Sequence, residues 1–442
     1  MKKLLLYLAL ILAVGGCKHE NNFVPGHHNE PIPDQYIVFM NDAFDEPVIK
    51  HRKNDPDREK QKEKNKAERE GKEKKVTTYL KSKGIDISGQ NVKAVFADVR
   101  VGAVVKMSDE EAQIINADKA NVDTVIQDVT IQINPIQQID PSLKINPIQQ
   151  WESPPVAANQ INPIQQSDAL QLRYDIDPTS HETNALLAAG GFTTGTGKTS
   201  VLWFLDTGID PANPYLNVNA SLGASFVASE TTTEDFYGHG TFCAGVAAGK
   251  PIGTAPQIHI GVAEGATVVP VKVLDKTGTG SWGNIIAGLN FVSKVSQSGD
   301  VVNLSLGAYD ARNQNCYFPG LSNAIANVTD NGVFVTLSAG NDAGNAQCNR
   351  PGCINGPNIY TASSINADKT CAPYANFGPS VDYVTVGSRV FSLWIGNSFI
   401  MASGTSISSA ILAGIIYARG SAPADGGMVT CMSLPFKIAV LR

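Results

Sequence analysis

Four predominantly apolar runs constrain this chain more than anything else in it. They are Val201-Leu202-Trp203-Phe204-Leu205, Val268-Val269-Pro270-Val271-Lys272-Val273-Leu274, Val301-Val302-Asn303-Leu304-Ser305-Leu306 and Val333-Phe334-Val335-Thr336-Leu337. A strand with one wet face alternates apolar and polar residues; Val201–Leu205 does not, as befits a strand covered on both faces. Ile285-Ile286-Ala287-Gly288-Leu289-Asn290-Phe291-Val292 reads as a helix between two of them. Strands alternating with helices predict an α/β fold, a doubly wound and mostly parallel sheet flanked by helices. Such sheets place their chemistry beyond the carboxyl ends of the strands.

Three Gly-flanked motifs occur at such places. Asp206-Thr207-Gly208 ends the first run, Gly238-His239-Gly240-Thr241 opens a small-residue segment suited to a tightly packed helix, and Gly404-Thr405-Ser406 precedes a helical stretch from Ile407 to Ile416. Each alone has an ordinary explanation: a turn after a strand, a satisfied structural histidine, a helix N-cap. Together they supply the three groups that make a serine hydroxyl nucleophilic. Serine has almost no alkoxide in water, so a base must take its proton, and a carboxylate must orient that base.

In this order the motifs resemble those of the subtilisin-like serine peptidases over residues 200 to 420. The resemblance implies Asp206 as orienting acid, His239 as general base, Ser406 as nucleophile and Asn341, in Ser338-Ala339-Gly340-Asn341, as oxyanion donor with the Ser406 N–H. It also implies two peptide-binding edges, Gly280-Ser281-Trp282 and Ser305-Leu306-Gly307, that hold an extended substrate by main-chain hydrogen bonds. Ser338, Ala339 and Gly340 would wall the pocket for the residue before the cut, with Asp342 either at its rim or simply solvated. The sequence departs from the family pattern after Ser406, reading Ile407-Ser408-Ser409-Ala410-Ile411-Leu412-Ala413-Gly414, and at Phe242, where many relatives have a second histidine. Neither change removes a catalytic group. Gly195-Thr196-Gly197-Lys198-Thr199 imitates the end of a phosphate-binding loop, but Phe192 occupies the place of the first glycine and the stretch precedes a strand, so it reads as a surface turn.

Lys2-Lys3, an apolar stretch from Leu4 to Val14 and Gly15-Gly16-Cys17 describe an export signal too short to span a bilayer. Val14-Gly15-Gly16-Cys17 further resembles the bacterial lipobox, which implies lipidation of Cys17 and a membrane anchor; ordinary cleavage with Cys17 incidental is the alternative. Six further cysteines, Cys243, Cys316, Cys348, Cys353, Cys371 and Cys431, form no Cys-x-x-Cys pair, which disfavours a zinc or thioredoxin reading. Disulfides suit an exported chain, in a connectivity the spacing leaves open. Cys243, beside His239, matches a buried free thiol in some relatives.

At 442 residues the chain exceeds one core. Residues 18–32 read as a tether. Strands at Gln35–Met40, Val92–Phe96 and Gly102–Met107, a helix around Thr77–Lys83 and a helix capped by Ser108 follow, then Val122 to Ile133. This order resembles the family's inhibitory propeptide, placed here at 33–132. Within it, residues 50–75 carry twelve Lys or Arg against seven Asp or Glu and read as a solvated helix or disordered insertion. The linker at 133–175 contains Ile-Asn-Pro-Ile-Gln-Gln three times, from Ile133, Ile145 and Ile161; the repeats are either duplicated linker or peptide bonds offered to the cleft for self-processing. The peptidase domain is placed at 176–442, ending in a stretch from Gly420 without clear strand patterning. The net charge is −6, and −11 without the basic run, so nucleic acid is not an expected partner. The chemistry requires no cofactor; the resemblance admits structural calcium, whose loop-oxygen ligands the sequence does not assign. Expected partners are protein or peptide substrates, the chain's own propeptide, and a membrane through the lipid. The rival reading is a catalytically inactive fold serving as a surface binding module.

Overall fold

The structure is a computed structural model that describes residues 30–41, 58–87, 91–97, 101–133, 137–138, 176–177, 180, 182–253, 257–311, 316 and 318–442. The first part contains β1 (Pro31–Met40), α1 (Arg58–Ser82), β2 (Val92–Phe96), β3 (Gly102–Lys106), α2 (Asp109–Ala117), β4 (Val122–Gln132) and the two-residue β5 (Gln137–Gln138). The second contains β6 (Leu202–Asp206), β7 (Asn217–Val218), α3 (His239–Ala248), β8 (Thr267–Lys272), β9 (Thr279–Ser281), α4 (Trp282–Val295), β10 (Val301–Leu304), α5 (Pro319–Asp330), β11 (Phe334–Ser338), β12 (Ile359–Ile365) and β13 (Tyr383–Val386). It ends with β14 (Val390–Trp394), β15 (Ser398–Ser403), α6 (Thr405–Arg419), β16 (Ala424–Cys431) and β17 (Leu434–Val440).

The main sheet runs β16-β17-β13-β12-β11-β10-β6-β8-β7, with Ala224–Ser225 also paired to β8. All its pairings from β7 through β17 are parallel, and only β16 is antiparallel. The doubly wound α/β expectation is therefore what the chain forms. Its continuous apolar runs explain why: Leu202 and Phe204 of β6 join the core beneath α3 and α6, whereas Trp203 and Leu205 join the core beneath α4 and α5. Chain order reverses beside β6, so Asp206 at its end lies where open α/β sheets leave a crevice. Every residue of α6 from Thr405 to Tyr417 is buried, which is why this helix carries no charge before Arg419.

Two expectations need correction. The stretch after Gly420 is not a loose tail; it forms the β16–β17 hairpin, extends the main sheet and is stapled by the Cys371–Cys431 disulfide. Its turn is made by Met432 and Ser433, both at positive φ (49° and 64°), without the Asn-Gly that signals such turns. From Arg58 onward the basic run takes the helical alternative, and it is continuous with the helix expected around Thr77–Lys83 instead of separate from it; together they form α1, of which Val76 and Leu80 are buried near its end.

In the first part β4-β1-β3-β2 form an antiparallel sheet. Period-two alternation gives β1 two tasks. Tyr36, Val38 and Met40 pack in a local core with Val76, Leu80 and Ile115, while Ile37 and Phe39 join the cluster that includes Ile285, Ile286 and Leu321 of α4 and α5. Asp128, fully buried, accepts hydrogen bonds from Gln35 Nε2 (2.6 Å) and from the Gly283 N–H (3.2 Å) at the start of α4, where the helix dipole favours an anion. The Ser108 capping box forms as its sequence requires.

No helix among the described residues is long and apolar enough to cross a membrane. The export signal, Cys17, the tether, and the repeats from Ile145 and Ile161 lie outside the described residues.

Candidate active site

Asp206 and His239 meet at the end of β6. His239 Nδ1 lies 2.8 Å from both Asp206 oxygens, and both side chains are wholly buried. Two glycines allow this approach. A Cβ on Gly240 would stand 2.0 Å from the Gly208 carbonyl, and Gly238 has φ 115° with the Trp394 ring where its Cβ would be. Burial opposes protonation of His239, but the Asp206 carboxylate outweighs it and holds the imidazole pKa well above its ordinary value. Cys243 is a free buried thiol, its Sγ 3.9 Å from His239 Nδ1. Burial pushes that thiol up, so it stays neutral, and Nδ1 is already engaged by the carboxylate; the group is a poor metal centre.

Ser406 occupies the second position of α6, where the helix N-terminus favours developing negative charge. Its hydroxyl donates to the Ser305 carbonyl (3.0 Å), and the Ser305 hydroxyl donates back to the Ser406 carbonyl (2.7 Å). Among the described residues His239 Nε2 has no hydrogen-bond partner. Acid and base are thus in contact, while the hydroxyl is turned to a neighbouring strand end instead of the base.

Asn341 follows β11. Its Oδ1 accepts from both the N–H and the hydroxyl of Thr405, each at 2.9 Å, which orients the amide beside the start of α6. The hydroxyl of Thr405 also accepts from the Gly340 N–H (3.0 Å). Ser305-Leu306-Gly307 and Ser338-Ala339-Gly340 adjoin one another where Ser338 Oγ donates to the Leu306 carbonyl (3.5 Å), and Asn349 Nδ2 donates to the Ser338 carbonyl (3.2 Å). Asp342 is half-buried and bound to Asn376 Nδ2 (3.1 Å).

Gly280 and Ser281 lie in β9, which pairs antiparallel with β4 in the register Gly280↔Ile131, Ser281↔Thr130. Trp282 is not on that strand; it opens α4, buried against Phe318. The Ile133 N–H donates to the Gly278 carbonyl (2.9 Å). Beyond it, β5 pairs antiparallel with β15, Gln137↔Ser403 and Gln138↔Ala402. Ser406 is three residues past Ser403, so Gln137 is tied to the strand that leads into α6, and Ile133 to the turn before β9.

Sequence reading missed Asp235, fully buried. It accepts from the N–H groups of Tyr237, Gly238 and Thr241 and from the hydroxyls of Thr207 and Thr241, at 2.7–3.0 Å. The carboxylate so caps α3 and ties it to the residue after Asp206. It sits four residues before His239, a weak signal without the fold. The Lys198 of the false phosphate loop instead caps α6, donating to the carbonyls of Tyr417 (2.7 Å) and Ala418 (2.9 Å).

A parallel α/β sheet with a carboxylate and imidazole in contact near a helix-terminal serine defines a hydrolase of the serine-peptidase class. The subtilase family profile matches residues 197–418, half of the chain, and the chain belongs to that family. It is 28% identical over 329 residues to an alkaline serine protease of Corniculantispora psalliotae, covering 73% of this chain and 72% of that one. With subtilisin-like protease 1 of Pseudogymnoascus destructans the identity is 32% over 298 residues, 65% of this chain and 68% of the relative. A cuticle-degrading protease of Metarhizium anisopliae is 31% identical over 224 residues, covering 50% and 53%. Among solved structures, a cold adapted subtilisin-like serine proteinase matches with TM-score 0.45 at 25% identity, over 51% of this chain and 77% of that one. The chain is a subtilisin-like serine endopeptidase, which sets aside the reading of the fold as a binding module alone.

Proposed function

We propose that Asp206, His239 and Ser406 form the catalytic triad and that the chain is made as a self-processing zymogen. The observation that carries this reading is the contact of both Asp206 oxygens with His239 Nδ1, together with Ser406 in the first turn of α6. In the working enzyme the Ser406 hydroxyl turns from the Ser305 carbonyl to His239 Nε2, which takes its proton as Oγ bonds to the scissile carbonyl carbon. The Asn341 amide and the Ser406 N–H stabilise the oxyanion. The imidazolium, balanced by Asp206, gives the proton to the leaving nitrogen, and water releases the acyl group by the same route. Gly280, Ser281, Ser305, Leu306 and Gly307 hold the substrate backbone, Trp282 supports that edge from within α4, and Ser338, Ala339 and Gly340 wall the adjoining pocket.

Residues 33–132 act as the inhibitory propeptide and 133–175 as the linker to a peptidase domain at 176–442. The pairing of β4 with β9 and the burial of Phe39 against α4 and α5 support that division. Export followed by lipidation at Cys17 rests on the Val14-Gly15-Gly16-Cys17 sequence alone, and incorporation of labelled fatty acid into wild type but not Cys17→Ser tests it.

The test of the function is casein digestion with N-terminal sequencing. Wild type should digest casein and acquire a mature N-terminus between Gln137 and about Asp175, avoiding the bonds flanking Pro135, Pro147 and Pro163. Ser406→Ala should do neither. A mutant that digests casein refutes the nucleophile; one processed to the same end refutes self-processing.

A further inference from the structure

The three Ile-Asn-Pro-Ile-Gln-Gln copies are not explained by a cut that needs only one site. The structure shows what holds the ends of the first. Ile133 is hydrogen-bonded through its N–H to the Gly278 carbonyl and is buried in the cluster that includes Trp282 and Leu306. Gln137 and Gln138 are paired to Ser403 and Ala402. Two residues before this copy, Ile131 is paired to Gly280 and almost fully buried. The hexapeptide therefore has an apolar anchor at its first residue, next to β9, and backbone anchors at its last two, on the strand that ends three residues before Ser406.

We propose that the hexapeptide is the cleft's own tethered competitive inhibitor, present in three copies, and that the second copy takes the first one's place when it is displaced. This rests on the reading of the crevice as the active site. The first support is identity: residues 145–150 and 161–166 repeat residues 133–138 in every position, so each copy can make the anchors that the first makes. The second is the residue two places upstream. It is Ile131 for the first copy, Leu143 for the second and Asn159 for the third. Only the second copy retains an apolar side chain for the site that buries Ile131, so the copies rank first, second, third.

The third support is the proline common to all three. Of the four bonds from Ile133 to Gln137, two involve Pro135, whose ring fixes φ and removes the N–H. A peptide anchored at the Gly278 carbonyl and at Ser403, and carrying proline between its anchors, would occupy the cleft while resisting attack. Distance favours replacement. The second copy starts twelve residues after the first and the third sixteen later, and flexible links of such lengths span roughly 17–24 Å, giving local concentrations on the order of millimolar. A cut just after Gln138 would leave two copies on the mature enzyme, so activation would proceed in stages.

The experiment uses full-length protein that has completed processing, with a fluorophosphonate as probe of Ser406. An Ile-Asn-Pro-Ile-Gln-Gln peptide, blocked at both ends, should slow labelling and raise KM for a chromogenic peptide with kcat unchanged; addition of Leu-Lys at its N-terminus should improve it at least severalfold. A scrambled hexapeptide should do nothing. In the full chain, replacing residues 145–150 and 161–166 by Gly-Ser should speed activation by up to about threefold, the limit for removing two of three equal competitors, and replacing only 145–150 should give the larger part of that gain. Absence of labelling in the processed protein itself would refute the reading of the active site. Normal labelling that the hexapeptide slows no better than its scramble, or activation at the wild-type rate without the two copies, would overturn the inhibitor proposal alone.

Discussion

Gly320→Ala should act in opposite directions on the precursor and on the mature enzyme. Gly320 is the second residue of α5, and a Cβ placed there would lie 2.2 Å from Phe39 Cζ and 3.2 Å from Ile286 Cδ1. The second contact is with the end of a flexible side chain and can relax. The first cannot, because the Phe39 ring is fully buried and packs on Phe96 with centroids 5.8 Å apart. Displacing it by more than an ångström costs about 1–3 kcal/mol, the usual range for overpacking, with complete loss of its burial, about 3–5 kcal/mol, as the ceiling. Docking of residues 33–132 should then weaken between about 5- and 150-fold at the lower range. Once that segment is gone, nothing on Phe39 remains to be disturbed, and alanine in place of glycine favours the helix by up to about 1 kcal/mol. Activation of the purified precursor, followed with a chromogenic peptide, should be faster in the variant, while thermal unfolding of the processed enzyme should be unchanged or slightly raised. A wild-type activation rate, or equal destabilisation of both forms, would refute the reasoning.

Other perturbations test separate parts of the site. Asn341→Ala should lower kcat by about 10²–10³, the size found for such a donor in subtilisin itself, with little change in KM; an effect confined to KM would contradict its role. The kcat/KM of the processed enzyme should fall as pH drops through the raised pKa of His239, since a protonated imidazole cannot accept the serine proton. Asp206→Asn should shift that midpoint to lower pH, because it removes the anion that holds the pKa up. Cys371→Ser with Cys431→Ser should cost the hairpin's staple, 60 residues apart in sequence, about 2–5 kcal/mol by unfolding while leaving Ser406 reactive; loss of reactivity at full folding would place the hairpin in the catalytic machinery.

Much of this fold is written locally. Runs such as Val201–Leu205 are apolar at every position because α3 and α6 cover one face and α4 and α5 the other, and the Gly-flanked Asp, His and Ser fall where those strands and helices begin or end. What stayed hidden depends on partners distant in sequence. Asp235 gains meaning only when Thr207 and Thr241 converge on it. The β16–β17 hairpin hides because it turns on Met432 and Ser433 and carries two glycines in its first strand. The direction of the Ser406 hydroxyl is set by the Ser305 carbonyl, 101 residues away. The pairing of Gln137 with Ser403 could not be read from a Pro- and Gln-rich linker at all.

The central claim is that Ser406 is activated by His239 and Asp206. Fluorophosphonate labelling of the processed protein, with the modified peptide identified by mass spectrometry, tests it without knowledge of a substrate. The account predicts one adduct, on Ser406, absent in Ser406→Ala and strongly reduced in His239→Ala. An unlabelled but folded wild type, an adduct on another serine, or undiminished labelling of Ser406 in His239→Ala would contradict it.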